Sequence, residues 1–164
     1  MFTIGILSDT HLQAPDSYFK KICRQRLGGC DAIVHAGDLI DISVLDVFCE
    51  KEVYAVHGNS CNARTRAILP ERRVFEILGY TIALCHGTGP RHNIEDRVFS
   101  MFPDADCIVY GHSHQAACNR YGSCLLVNPG SFQATSRYGH PGSYALLRID
   151  GTGLHSSLHS LAED

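Results

Sequence analysis

Five short apolar segments of this chain are each followed by residues with oxygen or imidazole donor atoms. The segments span residues 2–7, 32–37, 53–58, 81–85 and 107–111. The donors that follow them, in the same order, are Asp9 with His11, Asp38, Asn59, His86, and His112 with His114. A nearly continuous apolar run of this length is typical of a strand buried on both faces. Core packing does not require polar residues at such strand ends, whereas a ligand site at the carboxyl ends of neighbouring strands does.

The order of predicted elements indicates an α/β fold with more than one sheet. In the first half, strands at 2–8, 31–36 and 53–57 alternate with helices at 16–28 and 42–50. The second half contains a hairpin of 73–78 and 81–85 joined by Gly79-Tyr80, a helix at 92–101, a strand at 106–110, and hairpins that pair 115–121 with 123–127 and 143–149 with 154–161. This succession predicts two sheets packed face to face with helices outside. Because the 164 residues show no repeat and no linker-like stretch, we expect one domain over residues 1–164.

Composition and charge limit what the protein can bind. A formal net charge of -3 leaves no basic surplus, which argues against nucleic acid as a broad-surface partner. The longest apolar runs are far shorter than a membrane span, and the N-terminus enters a strand directly, so we expect a cytoplasmic protein with no membrane partner. The eight cysteines include no C-x-x-C pair, which indicates reduced thiols. The apolar hairpins could cover a homodimer interface or pack internally.

The chemistry of the strand-end donors favours transition metals. Carboxylates suit hard divalent ions and imidazoles suit manganese, iron, zinc or nickel, so a mixed set argues against Mg²⁺ or Ca²⁺. Asp38 follows Gly37, where the missing side chain lets the backbone approach an ion closely. A carboxylate placed there could bridge two ions, and Asn59 adds a neutral oxygen. The seven donors are enough for two metal ions with open coordination positions.

Each donor alone also has a plain structural explanation. Asp9, Asp38 and Asn59 are ordinary turn residues, and a single histidine at a strand end more often makes a local hydrogen bond than a metal contact. We expect no direct metal contact from the remaining histidines, which are His35, His57, His92, His140, His155 and His159. Five separate strand ends carrying ligand-type residues together are what favours a metal site.

Taken in order, five motifs resemble those of the calcineurin-like metallophosphoesterases. They are Asp9-Thr10-His11, Gly37-Asp38, Gly58-Asn59, His86-Gly87 and Gly111-His112-Ser113-His114, which match the D-x-H, G-D, G-N, H-G and G-H-x-H motifs of that superfamily. The short chain and the turn Asn128-Pro129-Gly130-Ser131 resemble its small prokaryotic phosphodiesterase branch, and the eukaryotic retromer subunit Vps29 has the same fold. The resemblance covers residue 3 to about residue 149 and implies a four-layer αββα sandwich with a dinuclear metal centre.

The resemblance also implies a division of labour among the donors. By position, Asp9, His11 and His114 would hold one ion, Asn59, His86 and His112 the other, and Asp38 would bridge them. Manganese is the expected metal, with iron, zinc or nickel as alternatives. Two ions roughly 3.5–4 Å apart can clamp a phosphate and supply a bound hydroxide for in-line attack. We therefore expect Asp38, Asn59 and His112 to act in catalysis on a small or nucleotide-like phosphate diester. A phosphomonoesterase, or a binding or scaffold protein of the same fold, is the alternative.

The loop after Gly58-Asn59 departs from the family pattern. Many members have a histidine directly after the asparagine, and the small branch has G-N-C-D, whereas this chain has Ser60-Cys61. A serine hydroxyl is a poor proton donor at neutral pH. The enzyme could favour esters with good leaving groups, or His57 or Cys61 could supply the proton, or catalysis could be lost.

The remaining predictions concern contacts with the substrate. Ser131, in the tight turn after a predicted strand, could donate to phosphate or could be purely structural. Arg137 is the best candidate for a phosphate clamp, because a guanidinium binds two phosphate oxygens at once. Arg64, Arg66 and Arg91 also lie on loops predicted to face the site, with weaker claims.

Overall fold

The computed structural model describes residues 1–133 and 141–162. In this part of the chain, ten strands form two five-stranded sheets. The strands of the first sheet are β1 (Phe2–Leu7), β2 (Ala32–His35), β3 (Glu52–Ala55), β9 (Ser143–Asp150) and β10 (Gly153–Ser160). Those of the second are β4 (Arg72–Ile77), β5 (Tyr80–Cys85), β6 (Cys107–Val109), β7 (Ala117–Tyr121) and β8 (Cys124–Asn128). The helices are α1 (Ser17–Leu27), α2 (Ala63–Ile68), α3 (Ile94–Met101) and a 3₁₀ helix over Ile42–Phe48.

Each sheet contains three parallel strands, with antiparallel strands at one edge of the first sheet and at both edges of the second. The first sheet has the order β10-β9-β1-β2-β3, and β1, β2 and β3 are parallel. The second has the order β4-β5-β6-β8-β7, and β5, β6 and β8 are parallel. The carboxyl ends of parallel strands meet at one edge of a sheet, so the loops that follow these strands are brought together.

Three apolar clusters account for the layers. One lies between the sheets and includes Ile4, Ile6, Val34, Ile82, Leu84, Val109, Val127 and Leu147. A second packs the outer face of the first sheet against α1, through Ile33, Phe19 and Leu27. A third packs the outer face of the second sheet against α3, through Ile108, Ile94 and Val98. This arrangement confirms the predicted αββα sandwich.

The first helix shows why the sequence pattern was informative. Of the two predicted caps, Asp16 is the residue that caps α1, since its side chain accepts a 2.7 Å hydrogen bond from the backbone N–H of Phe19. The buried face of the helix is formed by Phe19, Ile22, Cys23 and Leu27. Gly28 follows as the C-cap, as predicted.

The structure differs from the sequence predictions at three elements. The helix α2 was not predicted; the side chain of Asn62 caps it by accepting a 2.8 Å hydrogen bond from Thr65 N–H. The predicted helix at 42–50 is a 3₁₀ helix. The hairpin turn lies at Leu78-Gly79, both with positive φ, and Tyr80 belongs to β5. Two consecutive positive φ angles match the twist of paired strands, which explains why the turn is one residue earlier than predicted.

No helix in the described parts of the chain is long and apolar enough to cross a membrane.

Candidate metal centre

The loops that follow β1, β2, β3, β5 and β6 meet where the two sheets adjoin, and they carry all seven predicted ligands. Contacts across the sheets fix the loops relative to one another. Nδ1 of His86, after β5, lies 2.7 Å from the carbonyl oxygen of Ala36, after β2. The backbone N–H of His112, after β6, donates to Oδ2 of Asp9, after β1, at 3.2 Å. Side chains from both sheets therefore share one site.

One group of donors consists of Asp9, His11 and His114. Oδ1 of Asp9 lies 3.1 Å from Nε2 of His114 and 3.8 Å from Nε2 of His11. The two histidine Nε2 atoms are 3.5 Å apart. The other carboxylate oxygen of Asp9 is occupied, because the hydroxyl of Ser8 donates to it at 2.6 Å. Asp9 is therefore oriented with Oδ1 toward the two histidines, in an arrangement that suits a metal ion.

A second group consists of Asp9, Asp38 and His86, all three buried. Nε2 of His86 lies 3.3 Å from Oδ2 of Asp38 and 3.9 Å from Oδ1 of Asp9. Among the described residues, the carboxylate that belongs to both groups is that of Asp9, while Asp38 lies beside the second. The bridging role of Asp38 stays a prediction.

Asn59 and His112 extend the second group toward solvent. Oδ1 of Asn59 lies 3.1 Å from Nδ1 of His112. On the other side of the ring, Nε2 of His112 lies 2.9 Å from the carbonyl oxygen of Gly89. Both of these neighbours are acceptor oxygens, so each ring nitrogen of His112 faces an acceptor. At His86 a carbonyl oxygen can only accept, so Nδ1 donates to Ala36, and Nε2 faces Asp38 and Asp9, where a metal ion can bind.

Two buried atoms of the site lack hydrogen-bond partners among the described residues: Oδ1 of Asp9 and Nε2 of His86. Leaving a buried polar atom unsatisfied costs about 1–3 kcal/mol, and more for a charged group. Both atoms are donors of the predicted metal site, and a divalent cation between them would satisfy both. The residues present therefore fit metal ions of the type that a mixed carboxylate and imidazole set binds.

The electrostatics of the metal-free site favour the ionised form of Asp38 and the protonated form of His86. Burial opposes ionisation of Asp38, but the hydrogen bonds and charge of His86, together with hydrogen bonds from Ser60, hold the pKa of Asp38 below its usual range. Burial also opposes the charged form of His86, yet Asp38 and Asp9 outweigh it and raise the pKa of His86. Burial lowers the pKa of His11. A metal ion must displace the proton of His86.

Backbone strain is concentrated in the same loops. Eight described residues other than glycine have positive φ, and five of them are predicted ligands: Asp9, His11, Asp38, His112 and His114. Such conformations cost on the order of 1 kcal/mol or more for residues with a Cβ, and they persist where the surrounding structure imposes them. The surrounding structure therefore holds these five residues in unfavourable backbone conformations, which set the directions of their side chains.

Two motif glycines are required by close packing. A Cβ at Gly58 would collide with Oδ1 of Asp38 and approach the His86 ring to 2.7 Å. A Cβ at Gly111 would collide with the hydroxyl of Ser8 and lie 2.9 Å from Oδ2 of Asp9. The glycines of the G-N and G-H-x-H motifs thus make room for the carboxylates of other loops.

The residues predicted to contact substrate differ in how they lie relative to the site. Ser131 is buried, and its hydroxyl donates to the carbonyl oxygens of Asp9 and Gln133, at 3.1 and 3.0 Å. This bonding supports the structural interpretation of Ser131, which holds the Asp9 loop. His57 lines a cavity of about 220 Å³ together with Asn59 and His86. Arg137 lies outside the described residues.

Ser60 and Cys61, which depart from the family pattern, both make hydrogen bonds that support the site. Ser60 donates to Asp38 twice, from its N–H to Oδ1 at 2.8 Å and from its hydroxyl to Oδ2 at 2.9 Å. Cys61 is buried, and its sulfur accepts from the N–H of Gly58 at 3.3 Å. Ser60 therefore positions a predicted ligand, and Cys61 supports the turn of the loop.

Sequence reasoning missed the supporting role of His35, and it considered Arg66 only as a weaker candidate for phosphate binding. His35 is fully buried; its Nδ1 accepts from Gly37 N–H at 3.2 Å and its Nε2 lies 3.1 Å from the hydroxyl of Thr10. It thereby ties the Asp9-Thr10-His11 loop to the Gly37-Asp38 loop. A histidine inside an otherwise apolar strand, three residues before Asp38, was the available signal. Arg66 donates from Nε to the carbonyl oxygen of Cys61 at 2.9 Å and from Nη2 to that of Asn59.

Comparison with known proteins agrees with this geometry. The family model of the calcineurin-like phosphoesterase superfamily domain matches residues 2–152. The chain belongs to this superfamily. Members of the superfamily bind divalent metal ions, and the two groups of candidate ligands described above occur at its motifs. The resemblance inferred from the five motifs is thus confirmed.

This phosphoesterase is similar in sequence to other phosphoesterases and similar in fold to Vps29. A probable metallophosphoesterase of Methanothermobacter thermautotrophicus is 31% identical over 158 residues, which cover 94% of this chain and 90% of the relative. A phosphodiesterase of Methanocaldococcus jannaschii is 24% identical over 140 residues, 77% of this chain and 82% of the relative. The crystal structure of Vps29 from Entamoeba histolytica in complex with zinc superposes with a TM-score of 0.76 at 21% identity, covering 99% of this chain and 94% of that one. The last similarity concerns the fold alone.

Proposed function

We propose that this phosphoesterase hydrolyses small or nucleotide-like phosphate diesters with two divalent transition-metal ions, manganese being the first choice. The observation that carries the proposal is the pair of adjacent donor groups that share Asp9. Adjacent cation sites built from carboxylate and imidazole are the arrangement that clamps a phosphate during in-line displacement. The similarity to a phosphodiesterase of Methanocaldococcus jannaschii supports the preference for diesters.

The chain's own residues define how the ions and the substrate would be held. Asp9, His11 and His114 would hold one ion; Asn59, His86 and His112 would hold the other; Asp38 would lie between them. When bound, the two ions would supply the Lewis acidity that activates water and offsets the negative charge on the phosphate. The carbonyl oxygens of Ala36 and Gly89 orient the rings of His86 and His112, and Ser60 orients Asp38.

The site offers little acid assistance to a leaving group. Ser60 occupies the position after Asn59, and its hydroxyl is bonded to Asp38. Cys61 is turned toward the backbone of its own loop. Half-buried His57, which lines the adjoining cavity, is the remaining titratable candidate from this loop. We therefore propose a preference for esters whose leaving groups depart without protonation, such as p-nitrophenolate.

The proposed setting is the cytoplasm. All eight cysteines are free thiols, six of them buried, as expected for a chain kept in a reducing compartment.

Hydrolysis of bis-p-nitrophenyl phosphate tests the proposal. Metal-stripped protein is assayed with and without Mn²⁺, next to Asp38→Ala and, as a matched control, Asp104→Asn, which changes an exposed carboxylate remote from the site. We expect Mn²⁺-dependent turnover in the wild-type protein and in Asp104→Asn, and its loss in Asp38→Ala together with a metal content of one ion or none. Turnover that persists in Asp38→Ala with full metal content would contradict the role of Asp38.

The same assay separates the alternatives. A phosphomonoesterase would turn over p-nitrophenyl phosphate faster than the diester under identical conditions. The fold is also that of Vps29, so a binding or scaffold role is a second alternative. Such a protein would bind two ions without turnover of either ester.

A further inference from the structure

A cavity of about 220 Å³ opens beside the candidate metal centre. Its wall includes Asn59 and His86, two predicted ligands, so the cavity adjoins the position expected for the scissile phosphate. Whole small-molecule sites are commonly about 300–1,000 Å³. The cavity is therefore the size of a compartment for one group of a substrate rather than for a complete ligand.

The lining of this cavity carries an excess of positive charge in a chain whose net charge is -3. Arg66 and Arg72 both line the cavity, and Glu71 is the single acidic residue among the lining residues. Arg66 already donates to the carbonyl oxygens of Cys61 and Asn59. Among the described residues, the guanidinium of Arg72 makes no hydrogen bond or ion pair with another side chain.

The sheet register explains why Arg72 lies next to the metal centre. Arg72 begins β4 and is the antiparallel partner of Cys85, the residue immediately before His86. The neighbouring Arg73 is turned away from the cavity and covers the ring of Tyr54 with its guanidinium carbon 4.8 Å from the ring centre. Successive residues of a strand point to opposite faces of the sheet. Arg72 and Arg73 are therefore adjacent along β4, but their side chains lie on opposite faces.

We propose that this cavity is a substrate subsite for a second phosphate group, carried by the ester beyond the phosphate that is hydrolysed, and that Arg72 selects it. An unpaired guanidinium beside a cavity can bind two phosphate oxygens at once. The inference rests on the proposed phosphodiesterase function and narrows its substrate class to esters with an additional anionic group, such as nucleotides phosphorylated at a second position.

A matched pair of substrates tests the subsite. Thymidine 5′-(p-nitrophenyl phosphate) and its 3′-phosphate derivative release the same leaving group from the same ester and differ by one phosphate. With Mn²⁺ present, we expect the wild-type protein to favour the 3′-phosphate derivative by roughly tenfold in kcat/KM, mainly through KM, the scale of one added charge-assisted interaction. Arg72→Gln should reduce this ratio to about one, whereas Arg73→Gln should keep it.

Binding measurements separate failure of the subsite from failure of the proposed hydrolysis. Calorimetric titration of the Mn²⁺-loaded protein with thymidine 3′,5′-bisphosphate and with thymidine 5′-monophosphate needs no turnover. Tighter binding of the bisphosphate that depends on Arg72 supports the subsite even if neither ester is hydrolysed. Hydrolysis of both esters without a preference in the wild-type protein, or a preference that Arg72→Gln retains, would overturn it.

Discussion

The hydroxyl of Ser60 donates a 2.9 Å hydrogen bond to Oδ2 of Asp38, the carboxylate that we predict to lie between two metal ions. The backbone N–H of the same residue binds the other oxygen, Oδ1, at 2.8 Å. One residue therefore fixes both oxygens of Asp38. At a position where many superfamily members have a histidine, this chain has a residue that orients a predicted metal ligand.

Replacing Ser60 by alanine should weaken metal binding. The variant loses the hydroxyl bond and keeps the N–H bond, so Asp38 stays in place but becomes less well oriented. Loss of such a supporting contact typically costs about 10–100-fold in metal affinity or activity. Titration of the stripped protein with Mn²⁺ measures the change, with Ser123→Ala as an exposed control. Equal affinities in the two variants would show that the hydroxyl does not orient the ligand.

Replacing Ser60 by histidine should help substrates with poor leaving groups. An imidazole at this position can protonate a departing phenoxide, which a serine hydroxyl cannot do at neutral pH, whereas p-nitrophenoxide departs without a proton. We expect the ratio of turnover on bis-phenyl phosphate to turnover on bis-p-nitrophenyl phosphate to rise relative to the wild-type protein. If the ratio stays the same while two ions remain bound, a missing acid does not limit the reaction.

The sequence was sufficient for the strand framework and for the loops that carry the ligands. Continuous apolar runs identify buried strands because both faces are covered, and each run here ends at a motif. The cap of α1 was also predictable, because Asp16 precedes an amphipathic pattern. The helix α2 was not, since six residues with one buried side chain provide no periodicity.

The sequence could not predict how the loops depend on one another. That Asp9 belongs to both donor groups follows from the packing of β1 against β2 and from contacts with the other sheet. The role of His35 likewise depends on Thr10 and Gly37, which approach it only in the folded chain. The motifs identify which residues form the site. Only the tertiary structure shows which residues keep the ligand loops in position.

At a pH below neutrality, the binding of a metal ion should release a proton from His86. Asp38 and Asp9 raise the pKa of His86 although burial opposes this, so the metal-free site carries a proton on His86 near pH 6.5 that a metal ion must displace. The lowered pKa of Asp38 means that this carboxylate contributes no proton there. Mn²⁺ affinity should therefore fall with decreasing pH. Calorimetry in two buffers of different ionisation enthalpy counts the protons released, and a count of zero near pH 6 would contradict the assignment.

Buried His35 should make the metal-free protein less stable in mild acid. Burial is the main cause that lowers the pKa of His35 to about 4, against an ordinary value of 6.5. The unfolded chain therefore takes up a proton at a pH where the folded chain does not. The contribution of His35 to stability is present above about pH 6.5 and declines as the pH falls toward 4, by about 1 kcal/mol per pH unit. In His35→Gln the side chain can still donate to Thr10 but does not titrate. Urea unfolding between pH 7.5 and 5 should show a flatter pH dependence for His35→Gln than for the wild-type protein, and parallel curves would show that His35 titrates normally in the folded state.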